Sequence, residues 1–181
     1  MIKIPSTKKC LKIMDEYDMP DNIKAHSFQV RDISVLLAKE LKKKGENLNL
    51  KLIEAAALLH DIAKIHCVKS GERHDEVGAD LLRSMGYDRI AEIVEQHINL
   101  REKYKKITEE EIVCYADKRV MHDKIVPLSK RFEDIKVRYY SENPDIMERI
   151  NSTEEQSYRL EKKIFKNLDF SPDDLVKLLK K

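Results

Sequence analysis

Apolar residues recur along most of this chain every three or four positions, which is the period of an amphipathic helix. The pattern predicts a first helix from Ser6 or Thr7 to Tyr17 and a second from Asn22 to Lys44, followed by a C-terminal glycine, Gly45. A third helix is predicted from Leu50 to Lys64. Because its run from Ala55 to Leu59 is apolar on every side, we expect this helix in the centre of the fold.

Shorter helices are predicted in the second half of the chain, after a loop from Val68 to Arg73. Their predicted ranges are 74–85, 88–97, 108–121, 129–140 and 145–168, followed by a short helix that begins at residue 171. Thr108 is a good N-cap, and the three glutamates after it suit the positive end of the helix dipole. Pro144 separates a domain of residues 1–143 from a charged C-terminal helical extension, residues 144–181, which we expect to pack on the same domain.

Composition narrows the class of protein. The 181 residues include 35 Lys and Arg against 33 Asp and Glu, so the formal net charge is only +2. With 38% charged residues, 4 Gly and 5 Pro, the chain is typical of an all-α domain and unlike a collagen-like or Gly/Pro-rich disordered chain. We expect no membrane-spanning segment and no signal peptide, because no stretch of the sequence is continuously apolar over the length that either needs. The three distant cysteines, Cys10, Cys67 and Cys114, indicate reduced thiols in the cytoplasm.

Several polar residues interrupt the apolar faces of the predicted helices. They are His26, His60, Asp61, His97 and Asp117. A buried carboxylate without a partner costs several kcal/mol, and neutral imidazole and carboxylate together bind divalent transition metals. A single inward histidine is usually a hydrogen-bonded core residue, and a single inward aspartate is often a cap or an ion-pair partner. From the residues alone, a metal site and a set of structural polar residues are therefore equal alternatives.

The surroundings of these residues resemble the HD-domain superfamily of metal-dependent phosphohydrolases. The segments that carry the resemblance are AHSFQV around His26, AALLHDIAK around His60 and Asp61, and YADK around Asp117. The resemblance covers about residues 20–135 and implies an all-α HD-domain helical bundle with a metal site between its central helices. The C-terminal extension carries no motif of the family.

Two further segments resemble HD proteins that hold two metals. They are RHDEVGADLLRSMG, which contains His74, and IAEIVEQHINL, which contains His97. The arrangement is similar to the YqeK-like branch, and this resemblance implies symmetric hydrolysis of dinucleoside tetraphosphates. Ala63 stands where the common HDIG form of the motif has glycine. Alanine is small enough for close helix packing, so this departure affects the choice of branch more than metal binding.

The resemblance implies one or two divalent ions and six ligands. The ligands are His26, His60, Asp61, His74, His97 and Asp117. Asp61 would bridge the two ions, and such a pair lowers the pKa of a water and orients it for attack on phosphorus. Asp61 and Lys64 are the expected catalytic residues, although Lys64 equally suits a helix end. Fe or Mn is favoured, with Zn, Ni and Co as alternatives.

Four other polar residues are expected to have ordinary positions. We expect His66 and His122 on the surface or in loops. Asp75 either supports His74 or belongs to the start of a helix. The guanidinium of Arg131 would suit a phosphate, but a charged helix face is the favoured interpretation.

The expected function is cleavage of a phosphoester or phosphoanhydride bond in a small phosphorylated nucleotide by metal-activated water. One alternative is a non-catalytic HD module that senses a metal or nucleotide and binds a partner through its C-terminal region. A weaker alternative is an RNA-processing phosphoesterase, suggested by basic runs at residues 42–44 and 101–106. The balanced charge otherwise argues against nucleic acid as a partner, no membrane partner is expected, and a homodimer stays open.

Overall fold

The computed structural model describes residues 2–101, 105–140 and 142–180. The basic run at residues 101–106 therefore lies partly outside the described residues. The helices are α1 (Thr7–Glu16), α2 (Asp21–Lys43), α3 (Leu50–Leu59), α4 (Lys64–Ser70), α5 (His74–Ser84), α6 (Asp88–Val94), α7 (Glu109–Lys118), α8 (Leu128–Arg138), α9 (Pro144–Phe165) and α10 (Leu175–Leu179). The predicted all-α class is confirmed. None of the described helices is long and apolar enough to cross a bilayer.

Local sequence explains where several helices begin and end. The side chain of Asn49 accepts a hydrogen bond from the amide of Leu52 and caps α3. Thr108 and Glu111 form a reciprocal capping box at the start of α7, as the sequence predicts. Gly45 follows α2 with a φ of 95°, a conformation that glycine adopts at little cost.

The third helix occupies the centre of the core, as its apolar composition predicts. It contacts α1, α2, α6 and α7. Its residues from Ala55 to Leu59 are all buried, with at most 2% of their surface exposed. Burying one leucine side chain contributes about 1.5–3 kcal/mol, so this run anchors the helices that surround it.

The sequence prediction for residues 50–73 is wrong in detail. The third helix ends at Leu59 rather than at Lys64, and residues 60–63 form a turn closed by a hydrogen bond from the amide of Ile62 to the carbonyl of Leu59. Helix α4 then replaces the first part of the predicted loop and ends before Gly71, which has a φ of 75°. The turn packs closely on α5, since a β-carbon at Gly78 would lie 3.4 Å from the side chain of Ile62.

A second departure follows α7. The helix predicted to reach Met121 ends at Lys118, and an antiparallel pair of strands follows, β1 (Val120–Met121) and β2 (Lys124–Ile125). His122 lies in the connecting turn with a φ of 57°. This left-handed conformation suits the two-residue turn that reverses the chain between the strands.

The C-terminal helices are joined to the core by a buried arginine. Arg119 is only 2% exposed and donates hydrogen bonds to the hydroxyl of Tyr115, the carboxylate of Glu161 and the carbonyl of Pro172. The side chains of Leu160 and Ile164 on α9 also belong to the core. The division into residues 1–143 and 144–181 stays a prediction.

Candidate metal centre

One group of side chains comes from α2, from the turn after α3 and from α7. His26 Nε2 lies 2.9 Å from Asp117 Oδ1, and His60 Nε2 lies 3.6 Å from the same oxygen. The Nδ1 atoms of both histidines face backbone carbonyls, those of His122 at 2.9 Å and Ala57 at 2.8 Å. Because a carbonyl only accepts, each Nδ1 donates, so Nε2 is the nitrogen of each ring that could ligate a metal.

The second group meets the first at Asp61. Asp61 Oδ1 lies 3.2 Å from His74 Nε2 and 3.7 Å from His97 Nε2. Its other oxygen, Oδ2, lies 3.5 Å from His60 Nε2 and 3.9 Å from His26 Nε2. One carboxylate therefore faces two separate sets of imidazole nitrogens.

The donor atoms fit a divalent metal. The side chains of His26, His60 and Asp117, and likewise those of His60, Asp61 and His97, each offer ligand atoms within 4.8 Å of one another. His60 Nε2 and Asp61 Oδ1 are buried, and despite these short distances neither makes a hydrogen bond of favourable geometry among the described residues. A buried polar atom without a partner costs about 1–3 kcal/mol, and coordination to an ion would remove that cost.

Electrostatics keeps both carboxylates ionised. Burial favours the neutral form of Asp61, but the positive charges of His60 and Lys64 outweigh it and hold the pKa well below its usual value. Burial also favours the neutral form of Asp117, but the charge of Lys118 and the hydrogen bond from His26 outweigh it and hold the pKa of this carboxyl well below its usual value. Both groups therefore have the charge that a metal ligand needs.

Two buried histidines differ in protonation. Burial lowers the pKa of His60, but the negative charges of Asp61 and Asp117 raise it to about 9. Burial dominates at His97 and lowers its pKa to about 4. In the protein without metal, a proton on His60 therefore compensates part of the negative charge that an ion would otherwise neutralise.

Two lysines also belong to the site. Lys64 Nζ lies 2.6 Å from Asp61 Oδ2, although Asp61 lies in the turn and not on a shared helix as predicted. Lys118 Nζ lies 2.7 Å from Asp117 Oδ2 and 3.1 Å from the carbonyl oxygen of His97. The sequence does not predict a role for Lys118, because a lysine beside a helix end usually faces solvent and only the neighbouring Asp117 interrupts an apolar face.

The side chains of the other four polar candidates lie outside the two groups of donor atoms. The side chains of His66 and His122 are exposed, as expected, but the carbonyl of His122 orients His26. Asp75 is buried and pairs with Arg73. Arg131 differs from the favoured interpretation, since only 12% of its side chain is exposed and it lines a cavity.

That cavity adjoins the candidate metal centre and measures about 410 Å³. Its lining includes four of the proposed ligands, which are Asp61, His74, His97 and Asp117. Four basic residues also line it, which are Lys64, Lys118, Arg131 and Arg149. Helices α8 and α9 complete it with apolar side chains, among them Phe132, Ile135 and Ile150. The arrangement places anion-binding and apolar groups around the same site.

The family model that matches the chain is that of the HD domain, over residues 23–122. A crystal structure described as a predicted HD superfamily hydrolase, from an uncultured Thermotogales bacterium, has a similar fold. Its TM-score is 0.52 and its identity 24%, and the match covers 88% of each chain. This likeness concerns the fold alone.

Three curated proteins are related in sequence. A tRNA (cytidine(56)-2'-O)-methyltransferase of Thermoplasma volcanium is 33% identical over 142 residues, which are 70% of this chain and 40% of that protein. An uncharacterized protein of Methanocaldococcus jannaschii is 30% identical over 141 residues, 70% of this chain and 82% of that protein. Ribonuclease Y of Aquifex aeolicus is 34% identical over 97 residues, 53% of this chain and 16% of that protein. The chain thus spans less than half of the methyltransferase.

Proposed function

Since this chain belongs to the HD-domain family, we propose that it is a metal-dependent phosphohydrolase that cleaves a phosphoester or phosphoanhydride bond of a small nucleotide. The observation that carries the proposal is the position of Asp61 between two sets of histidines, with four basic residues around the adjoining cavity. The ligands would be His26, His60, Asp61, His74, His97 and Asp117. Fe or Mn remains the favoured ion.

Bound ions would supply Lewis-acid chemistry by lowering the pKa of a water and polarising the phosphoryl oxygens. Asp61 provides one oxygen on each side, and its ionised form is maintained by Lys64. Burial opposes the charged form of Lys64, but the negative charge of Asp61 raises its pKa, so the ammonium stays charged near neutral pH. Lys64 can therefore neutralise a phosphate oxygen in the cavity that it lines.

The proposal is tested with a panel of nucleotides incubated with the purified protein and Mn or Fe. We expect release of inorganic phosphate or a nucleoside phosphate from at least one of them. Asp61→Ala should lower this activity by at least about 1,000-fold, because one substitution removes a ligand from both groups.

A matched control is Asp123→Ala, which removes an exposed aspartate in the turn between β1 and β2. It should retain wild-type turnover. Full activity in Asp61→Ala would refute the assignment of Asp61. A panel without turnover, combined with tight metal or nucleotide binding, would favour the alternative of a non-catalytic sensing module.

A second candidate substrate is RNA, which the similarity to ribonuclease Y favours. The cavity argues for the smaller substrate, because α8 and α9 wall it on one side and its volume is about 410 Å³. The two candidate substrates are distinguished by comparing the cleavage of labelled oligoribonucleotides and mononucleotides at low salt, where phosphate contacts favour RNA binding most. Cleavage of the oligoribonucleotides alone would replace the small nucleotide by RNA as the substrate.

A further inference from the structure

Arg131 lines the cavity and has a hydrogen-bond donor without a partner. It lies on α8, beyond the residues that match the HD family, and its side chain is 12% exposed. Its Nη1 lies 3.2 Å from Asp134 Oδ2, whereas its buried Nε has no hydrogen-bond partner among the described residues. A buried guanidinium nitrogen without an acceptor is costly. Because Arg131 lines the cavity, a ligand oxygen bound beside its guanidinium would remove that cost.

Asp134 holds this guanidinium in place. It also accepts a hydrogen bond from Arg138, and that bond, together with the charges of Arg138 and Arg131, lowers the pKa of the Asp134 carboxyl below its usual value. The carboxylate is thus ionised near neutral pH and orients Arg131 through one edge of its fork. The other edge, which includes Nε, matches the oxygen spacing of a phosphate.

The wall beside Arg131 is apolar. Phe132, Ile135 and Ile150 line the cavity together with two side chains that are large and strongly exposed, Tyr139 at 55% and Ile146 at 38%. Exposed apolar residues around a concave site are typical of a surface that a ligand covers. A planar, weakly polar group such as a nucleobase fits such a wall, because its faces lose little hydration on contact.

We propose that α8 and α9 form a subsite for a nucleoside monophosphate, in which Arg131 binds the phosphate and the apolar wall binds the base. This rests on the proposed function, whose substrate class it narrows. The volume of about 410 Å³ lies near the lower end of the range of about 300–1,000 Å³ for small-molecule sites, so one base and one phosphate suit it better than two nucleosides.

The volume of the subsite suits one nucleoside better than two. The subsite therefore differs from the dinucleoside tetraphosphates implied by the YqeK-like resemblance.

The test is calorimetric titration of the manganese-loaded protein with four probes. Two are methylenephosphonate analogues of adenosine and thymidine monophosphate, which cannot be hydrolysed, and the others are adenosine and inorganic phosphate. We expect at least one analogue to bind about 10-fold or more tightly than inorganic phosphate. Arg131→Gln should weaken both the analogue and phosphate by about 10- to 100-fold, because it removes a charged hydrogen bond.

Further variants separate the two halves of the subsite. Ile146→Ser should weaken the analogue several-fold and leave phosphate unchanged. Arg131→Lys keeps the charge but loses the fork, so its affinity should fall between those of wild type and Arg131→Gln. Lys130→Gln removes a charge from the exposed neighbouring position on α8 and should bind every probe like wild type. Thermal unfolding followed by circular dichroism verifies that each variant is folded.

Wild-type affinity in both Arg131 variants would overturn the subsite, as would equal affinity of wild type for phosphate and the analogues. Different results would refute the proposed function. Predicted binding without hydrolysis of any natural nucleotide would support the subsite and refute the phosphohydrolase. Hydrolysis of simple phosphate esters without preference for nucleotides, unaffected by Arg131→Gln, would support the phosphohydrolase and refute the subsite.

Discussion

Asp61 Oδ1 faces His74 and His97, whereas Asp61 Oδ2 faces His60 and Lys64. Each of these contacts is short, and all of them are buried except the outer parts of Lys64 and His74. In this site, cationic side chains and candidate metal ligands surround two carboxylates and compensate their negative charge. Removing one of these groups should therefore destabilise the ionised carboxylate that it faces.

Lys118 provides such a test. Lys118→Met leaves the buried carboxylate of Asp117 without its 2.7 Å partner, so the metal-free protein should lose about 3–5 kcal/mol of unfolding free energy. Added Mn should reduce this loss, because an ion compensates the same charge. Urea unfolding with and without Mn measures both values, with Lys130→Gln as the exposed control. A loss below about 1 kcal/mol without metal would contradict the pairing.

A substitution of His122 tests whether its backbone carbonyl, rather than its imidazole, orients His26. His122→Gly removes the imidazole but keeps the carbonyl that faces His26, and glycine adopts the φ of 57° without penalty. We expect unchanged manganese content, measured by plasma mass spectrometry. The free energy of unfolding should equal that of wild type or exceed it by up to about 1 kcal/mol. Loss of manganese from the folded variant would identify the imidazole itself as a ligand.

At the scale of secondary-structure elements, α7 joins the candidate site to the C-terminal helices. It carries Asp117, one of the candidate ligands, and Arg119 follows directly at its end and donates a hydrogen bond to Glu161 on α9. Helices α8 and α9 then return over the cavity and supply Arg131 and the apolar wall. The extension after Pro144 therefore contributes to the cavity as well as to the core.

Arg119→Met tests this connection. It removes the donor that joins Tyr115, Glu161 and the carbonyl of Pro172, so we expect a loss of about 3–5 kcal/mol in unfolding free energy. Arg83→Gln is the control, because Arg83 pairs with Asp80 and Glu95 at the surface and should contribute less than about 1 kcal/mol. Equal effects of the two substitutions in urea unfolding would show that the buried network is not important for stability.

For the whole molecule, the sequence predicts what depends on local pattern. The helical period predicts the all-α class, and the motif surroundings of His26, His60 and Asp117 predict that these residues meet. The turn at residues 60–63 could not be predicted, since Ile62 and Ala63 continue a helical pattern and contain no breaker. The burial of Lys118 and Arg131 depends on the packing of distant helices, which no local pattern encodes.

Assembly and location belong to the same scale and stay predictions. The cysteine pattern predicts a cytoplasmic location, and a homodimer stays open. The structure adds that the three cysteines, which all lie in its described part, are buried and form no disulfide.

The most direct test of the account is the anomalous scattering of manganese in crystals of the wild-type protein. We predict two peaks, one on each side of the Asp61 carboxylate. The first should contact His26, His60 and Asp117, and the second His74 and His97. The absence of a peak at Asp61, or a second ion away from His74 and His97, would contradict the proposed centre.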